Sequence, residues 1–256
     1  MTDPGRLELS VLGAGPAYTD RVGASGASYL VRSGSTAVLL DLGQGSFPRL
    51  ARTIEPSALD AVVVSHLHPD HFVDLVPLRH YLAYQFVPPR RVRVLGPRGL
   101  LDRLDALHAQ PGFSALALDG ETLDEEPRRI GELTVQPRRV THTEESYAFR
   151  LSGPAGAGLV YSGDCGVADD LAPLIAAGDT LLVEVSFGVG PVPAGALHLD
   201  APAIARLVRA TRPGRVLLTH LQMGFDPEAA VRIVADATDA PVTLVEPGDT
   251  IEVGRT

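Results

Sequence analysis

The sequence predicts an α/β fold, and three observations on its 256 residues carry that prediction. Apolar runs of strand length, such as residues 59–64 and 215–218, alternate with stretches that are apolar at helical spacing, such as 72–86 and 201–210. Glycine and proline, 26 and 21 of them, punctuate the boundaries where turns and helix ends need them. Six of the eight histidines stand at the ends of elements, as residues sharing one edge would.

Taken in order, residues 7–12 alternate as a half-exposed strand that Gly13-Ala14-Gly15-Pro16 breaks. No helical pattern with a lysine or third glycine follows, which excludes a phosphate-cradling loop. Strands at 27–32 and 36–42 meet at the turn Ser33-Gly34-Ser35. Asp41 then stands at a strand end, either as a turn cap or as support for a ligand histidine. A helix over 47–54 precedes the strand 59–64, which empties into Ser65-His66-Leu67-His68-Pro69-Asp70-His71. Imidazole nitrogen and carboxylate oxygen are the usual donors to zinc and similar divalent ions. From an extended strand end, His66 and His68 point the same way and can share one ion. Pro69 stops the extended segment and suits a helix start, so Asp70 and His71 face a second ion beside the first.

The helix 72–86 carries His80 and a helix at 99–109 carries His108, with a strand at 91–95 between them; neither histidine has a partner in the pattern, and both are left out of the site. Strands separated by an acidic loop at 121–126 fill 113–141 and end at His142. Paired strands at 147–151 and 158–161 run into Ser162-Gly163-Asp164, where glycine permits a tight turn that presents Asp164 at the sheet edge to bridge two cations. The apolar strand 179–186 contains one acid, Glu184, whose burial is costly without a partner such as a histidine. Residues 187–196, rich in glycine and proline, read as a mobile loop over the site. Asp200, just after His198, reads as the N-cap of the helix at 201–210. His220 ends the strand at 215–218, and a helix at 227–237 and strands at 242–245 and 250–253 complete the chain. No linker divides it, so residues 1–256 read as a single domain. Each half reads as strands followed by alternating strand and helix, a pattern compatible with a distant duplication.

The net charge of −9 argues against broad capture of nucleic acid, which rests on a basic surface. Cys165 is the single cysteine, which rules out an internal disulfide and suits a reducing compartment. No apolar run reaches the roughly 18 residues that span a bilayer. The first six residues lack a signal peptide's pattern, so a cytoplasmic location without membrane association is expected, with a homodimer compatible.

His66-x-His68-x-Asp70-His71, His142, Ser162-Gly163-Asp164 and Thr219-His220, in this order and spacing, resemble the metallo-β-lactamase fold hydrolases over nearly the whole chain. The resemblance implies a four-layered αββα sandwich with the site at one edge of two sheets. It implies that His66, His68, His142 and Asp164 hold one metal, and that Asp70, His71, His220 and the shared Asp164 hold the other. The metals implied are two divalent ions, zinc first, with manganese or iron as alternatives; Asp70 counts as catalytic as well as ligating.

Within the family the phosphodiesterase branch is most similar. The Leu197-His198-Leu199-Asp200-Ala201 stretch resembles that of the ribonuclease Z group, which implies His198 as general acid with Glu184 as its carboxylate partner. The tRNA-processing members carry a long arm between the third histidine and the bridging aspartate, whereas 21 residues separate His142 from Asp164 here. His142-Thr143-Glu144-Glu145-Ser146-Tyr147 and Tyr161-Ser162-Gly163-Asp164-Cys165-Gly166 are similar to runs of the actinobacterial-type cyclic nucleotide phosphodiesterases. The expected activity is therefore hydrolysis of a cyclic nucleotide or other small phosphodiester. The alternatives are a ribonuclease Z-like RNA 3′-end endonuclease, with RNA disfavoured as partner, a thioester or lactone hydrolase, and a non-catalytic metal-binding protein.

Overall fold

The computed structural model describes residues 6–154 and 156–254. Residues 1–5, which carry most of the leader argument, lie outside the described residues, as do both ends of the single-domain span. The first of two seven-stranded sheets holds β1 (Glu8–Gly13), β2 (Ser28–Ser33), β3 (Thr36–Leu40), β4 (Ala61–Val63), β5 (Val92–Gly96) and β6 (Leu118–Thr122) in that spatial order. The second holds β7 (Arg128–Ile130), β8 (Leu133–Arg139), β9 (Tyr147–Ser152), β10 (Leu159–Tyr161), β11 (Thr180–Glu184), β12 (Arg215–Thr219) and β13 (Val242–Leu244). The last strand, β14 (Thr250–Glu252), returns to pair with β1 in the first sheet.

The two sheets repeat one pairing scheme. From the β14 edge the first runs antiparallel through β14, β1, β2 and β3, then parallel through β4, β5 and β6. From the β7 edge the second runs antiparallel through β7, β8, β9 and β10, then parallel through β11, β12 and β13. The repetition extends the halves that the sequence pattern suggests into matching topology.

Strand alternation decides the layers, because successive side chains point to opposite faces. Tyr29, Val31, Val38, Leu40 and Val63 of the first sheet meet Val135, Phe149, Leu151, Tyr161 and Leu182 of the second in a core between the sheets. Their neighbours Leu30, Leu39, Val62 and Val94 face outward, onto Leu50, Leu75, Leu78, Leu82 and Leu104. Those residues belong to α1 (Phe47–Thr53), α3 (Leu75–Tyr84) and α4 (Leu100–Leu107), and the short α2 (Pro69–Phe72) adds Phe72. On the far side, Val160, Leu181, Val183, Val216 and Leu218 pack on α5 (Ala201–Thr211) and α6 (Pro227–Ala235). The order helix, sheet, sheet, helix is the αββα sandwich.

One expected element divides. The helix read over 72–86 is two: α2 ends at Phe72, and α3 starts at Leu75 after Asp74. The Asp74 carboxylate accepts the Phe47 main-chain N–H at 2.8 Å, so this residue caps α1 from a distance and breaks the longer helix. Glu121, expected in a loop, lies inside β6 opposite Leu95 of β5, and Arg93 and Arg128 pair with its carboxylate.

Candidate metal centre

The parallel strands end on the same edge of both sheets, and the candidate ligands sit just beyond their carboxyl ends. Asp41 follows β3, His66 follows β4 by way of Val64 and Ser65, Asp164 follows β10, Glu184 closes β11 and His220 follows β12. His142 lies on the loop after β8, and Pro69 starts α2 so that Asp70 and His71 turn back into the cleft. Gly163 makes the Asp164 turn at φ +56°, where a Cβ would lie 2.8 Å from the Tyr147 carbonyl oxygen. Asp41 and His220 adopt φ +56° and +59°, a conformation that costs a non-glycine residue about 1 kcal/mol or more and that clusters at functional sites. The peptide of each is pinned, Asp41 N–H on Val63 O at 2.9 Å and His220 N–H on Ala14 O at 3.0 Å.

The seven residues singled out for metal fall into two groups that share Asp164, and within each group the candidate ligand atoms lie within 4.8 Å of one another. In the first, Asp164 Oδ2 is 3.6 Å from both His66 Nε2 and His142 Nε2, and His68 Nδ1 is 3.2 Å from His142 Nε2. In the second, Asp164 Oδ1 is 3.3 Å from His71 Nε2 and 3.5 Å from His220 Nε2, and Asp70 Oδ2 is 3.3 Å from His220 Nε2.

The surroundings decide which ring nitrogen faces the cleft. Asp41 Oδ2 accepts the Tyr161 hydroxyl at 2.7 Å, the Ser65 hydroxyl at 2.7 Å and His71 Nδ1–H at 2.7 Å. Because the Ser65 proton goes to Asp41, Ser65 Oγ is left to accept His66 Nδ1–H at 3.1 Å. The other half repeats the device: the Ser186 hydroxyl donates to Glu184 Oε2 and accepts His220 Nδ1–H at 3.0 Å. His142 Nδ1–H donates to the Leu197 carbonyl at 2.7 Å. Each of these four imidazoles therefore turns Nε2 inward, as a metal-ligating histidine with its outer N–H engaged does.

The donor set fits divalent cations. His66 Nε2, His71 Nε2 and Asp164 Oδ1 are buried and have no hydrogen-bond partner, an arrangement that is costly unless a cation completes it. Burial works against charge on His71, yet Asp164 and Asp41 outweigh it and hold the imidazole well above its usual range, so binding an ion there would displace the His71 proton. Burial likewise disfavours charge on Asp164, but His220 and His71 hold it well below the carboxylate range. Burial, reinforced by His71, pushes His66 well below its ordinary value and favours the neutral form a ligand must have.

Glu184, the buried acid for which the sequence suggests a partner, lies beside His198: Glu184 Oε1 accepts His198 Nδ1–H at 2.9 Å. Glu184 also accepts the main-chain N–H groups of Cys165 at 2.9 Å and Ser186 at 3.1 Å, so its oxygens are engaged by the protein. Glu184, His198 and His220 are close enough to hold an ion, but those hydrogen bonds make Glu184 a support for His198. His198 lies beside the two groups, with Nδ1 3.9 Å from Asp164 Oδ2. Burial opposes charge on it, and Glu184 outweighs burial and raises its pKa. His80 and His108 stand apart from the site, ring centroids 5.5 Å from each other and packed on Phe113. Sequence reasoning passed over Ser65, Ser186 and Tyr161; the only local signal was a serine at each of two apolar strand ends.

A four-layered sandwich with paired histidine and carboxylate groups at its edge defines the metallo-β-lactamase class. Residues 36–221 match the family model described as a beta-lactamase superfamily domain, and the chain belongs to that superfamily. It is 32% identical over 257 residues to the uncharacterized protein Rv1339 of Mycobacterium tuberculosis, covering 97% of this chain and 93% of that protein. It is 29% identical over 198 residues to ribonuclease Z of Mycobacterium bovis BCG, covering 70% of each. The crystal structure of the metallo-beta-lactamase fold protein YhfI of Bacillus subtilis matches with a TM-score of 0.85 at 22% identity, covering 96% of this chain and 99% of that one. These relationships support a metal-dependent hydrolase. Among the described residues, no helix is long and apolar enough to cross a membrane.

Proposed function

We propose that this protein is a binuclear metal-dependent phosphodiesterase for a cyclic nucleotide or another small phosphodiester. The observation that carries the reading is the His198–Glu184 pair at 2.9 Å, placed beside the two ligand groups that share Asp164. His66, His68, His142 and Asp164 would hold one divalent ion, and Asp70, His71, His220 and Asp164 the other, with zinc the first candidate. Such ions supply activation of water and neutralisation of charge on the phosphoryl oxygens. His198 keeps Nδ1–H on Glu184, so Nε2 is the atom from which a proton reaches the leaving oxygen. Ser186 orients His220 through its Nδ1–H, as Asp41 and Ser65 orient His71 and His66.

The relative named ribonuclease Z supports phosphodiester chemistry. The segment between His142 and Asp164 is the antiparallel β9–β10 hairpin, with no room for a tRNA-gripping arm, and the net charge of −9 favours a small substrate over a long RNA. Metal analysis, then turnover of bis(p-nitrophenyl) phosphate, cyclic nucleotides, short RNAs and an aryl ester with and without chelator, tests the reading. Chelator-sensitive phosphodiester turnover is expected. Faster hydrolysis of the ester would transfer the protein to thioester or lactone chemistry, and no turnover would leave a metal-binding protein.

A further inference from the structure

A cavity of about 400 Å³ opens beside His68, lined also by Leu67, Arg98, Arg103, Thr143, Glu144 and Glu145. Three segments meet there: the β4–α2 turn with His68, the β5–α4 turn with Arg98, and the β8–β9 loop that carries His142 next to Thr143. The cavity therefore continues the first ligand group outward, and neither the candidate ligands nor His198 accounts for its arginines.

Arg103 Nη1 donates to the Leu67 carbonyl at 2.9 Å, which ties it to the His68 turn, and no carboxylate pairs with it among the described residues. Arg98 is fixed through its main chain, with its N–H on Glu145 Oε2 at 2.8 Å, Pro97 before it and Gly99 at φ +81° after it. Its guanidinium is exposed and has no partner among the described residues. Glu145, besides holding that N–H, lies 3.6 Å from Arg139. Arg98 and Arg103 therefore face Glu144 and Glu145 across the recess, and Glu145 is shared with Arg139 outside it, so the Arg98 guanidinium is the lining charge left open to an anion on a chain of net charge −9.

We propose that this recess binds a second anionic group of the substrate, a phosphate or carboxylate separate from the group hydrolysed. Arg98 is the specificity-determining residue and Arg103 its companion. A planar guanidinium with free donors matches such a group bidentately. The inference rests on the phosphodiesterase reading and narrows its substrate class to phosphodiesters that carry a further anion.

The test is calorimetric binding to metal-loaded protein of adenosine 3′,5′-bisphosphate and 5′-AMP, which share the base and differ by one phosphate. The bisphosphate is expected to bind about tenfold tighter, the size of one charge-assisted hydrogen bond. R98A should reduce the preference to about twofold, and R98K should fall between. An unchanged melting temperature and metal content would show that R98A is folded. Equal affinities in the unsubstituted protein, no binding of either nucleotide, or a preference that survives R98A overturns the proposal. A preference of this kind with no turnover of any phosphodiester would overturn the phosphodiesterase reading and leave the anion site standing; turnover without the preference would do the reverse.

Discussion

Asp41 touches no candidate ion position, yet Tyr161, His71 and both polar groups of Ser65 donate to its carboxylate. Asp41→Asn replaces one acceptor oxygen with a donor among those donors, and affinity for the second ion is expected to fall about 10- to 100-fold, measured by chelator competition. His198→Ala should lower kcat about 100-fold or more while metal content by elemental analysis stays at the level of the unsubstituted protein; loss of metal would make His198 a ligand instead. His66, His68, Asp70 and His71 were legible as candidate ligands because they cluster after one strand, whereas His142, Asp164 and His220 stand singly at strand ends and joined them through the family resemblance. Ser65 and Ser186 were not legible, because a serine's role depends on which group takes its proton, and those partners, Asp41 and Glu184, are fixed only by the fold.

At the scale of elements, α2 is stapled to the β3–α1 turn by Leu42 N–H on the His71 carbonyl at 2.8 Å and Asp74 N–H on the Leu42 carbonyl at 3.0 Å. A Cβ on Gly43 would lie 1.8 Å from the Asp70 carbonyl oxygen, so no side chain fits between turn and helix. Gly43→Ala should destabilise the protein by about 2–4 kcal/mol in urea unfolding. The Asp200 carboxylate accepts Ala203 N–H at 2.9 Å, as the sequence predicts for an N-cap, and Asp200→Ala should cost about 1 kcal/mol in the same measurement. The cap was legible because its signal is local. The break between α2 and α3 was not, because Asp74 serves Phe47, 27 residues earlier in the chain.

At the scale of the molecule, alternation and spacing indicated an α/β chain and the family resemblance implied its αββα layers, while the pairing of the two sheets came from contacts between distant strands such as β14 and β1. Ions at about a thousand times their dissociation constant stabilise the fold by about 4 kcal/mol, so a chelator should lower the melting temperature by several degrees in calorimetry. The repeated topology places Asp41, His66, His68, Asp70 and His71 before the exposed acidic residues 124–126, and His142, Asp164, Glu184, His198 and His220 after them. Each candidate ion would thus be gripped from both sides of that connection. A chain severed there yields two pieces that each own half of every coordination sphere, and their reassociation should strengthen with added zinc and fail in chelator. On this reading bound metals would be the clasp between the two halves as well as the seat of the chemistry.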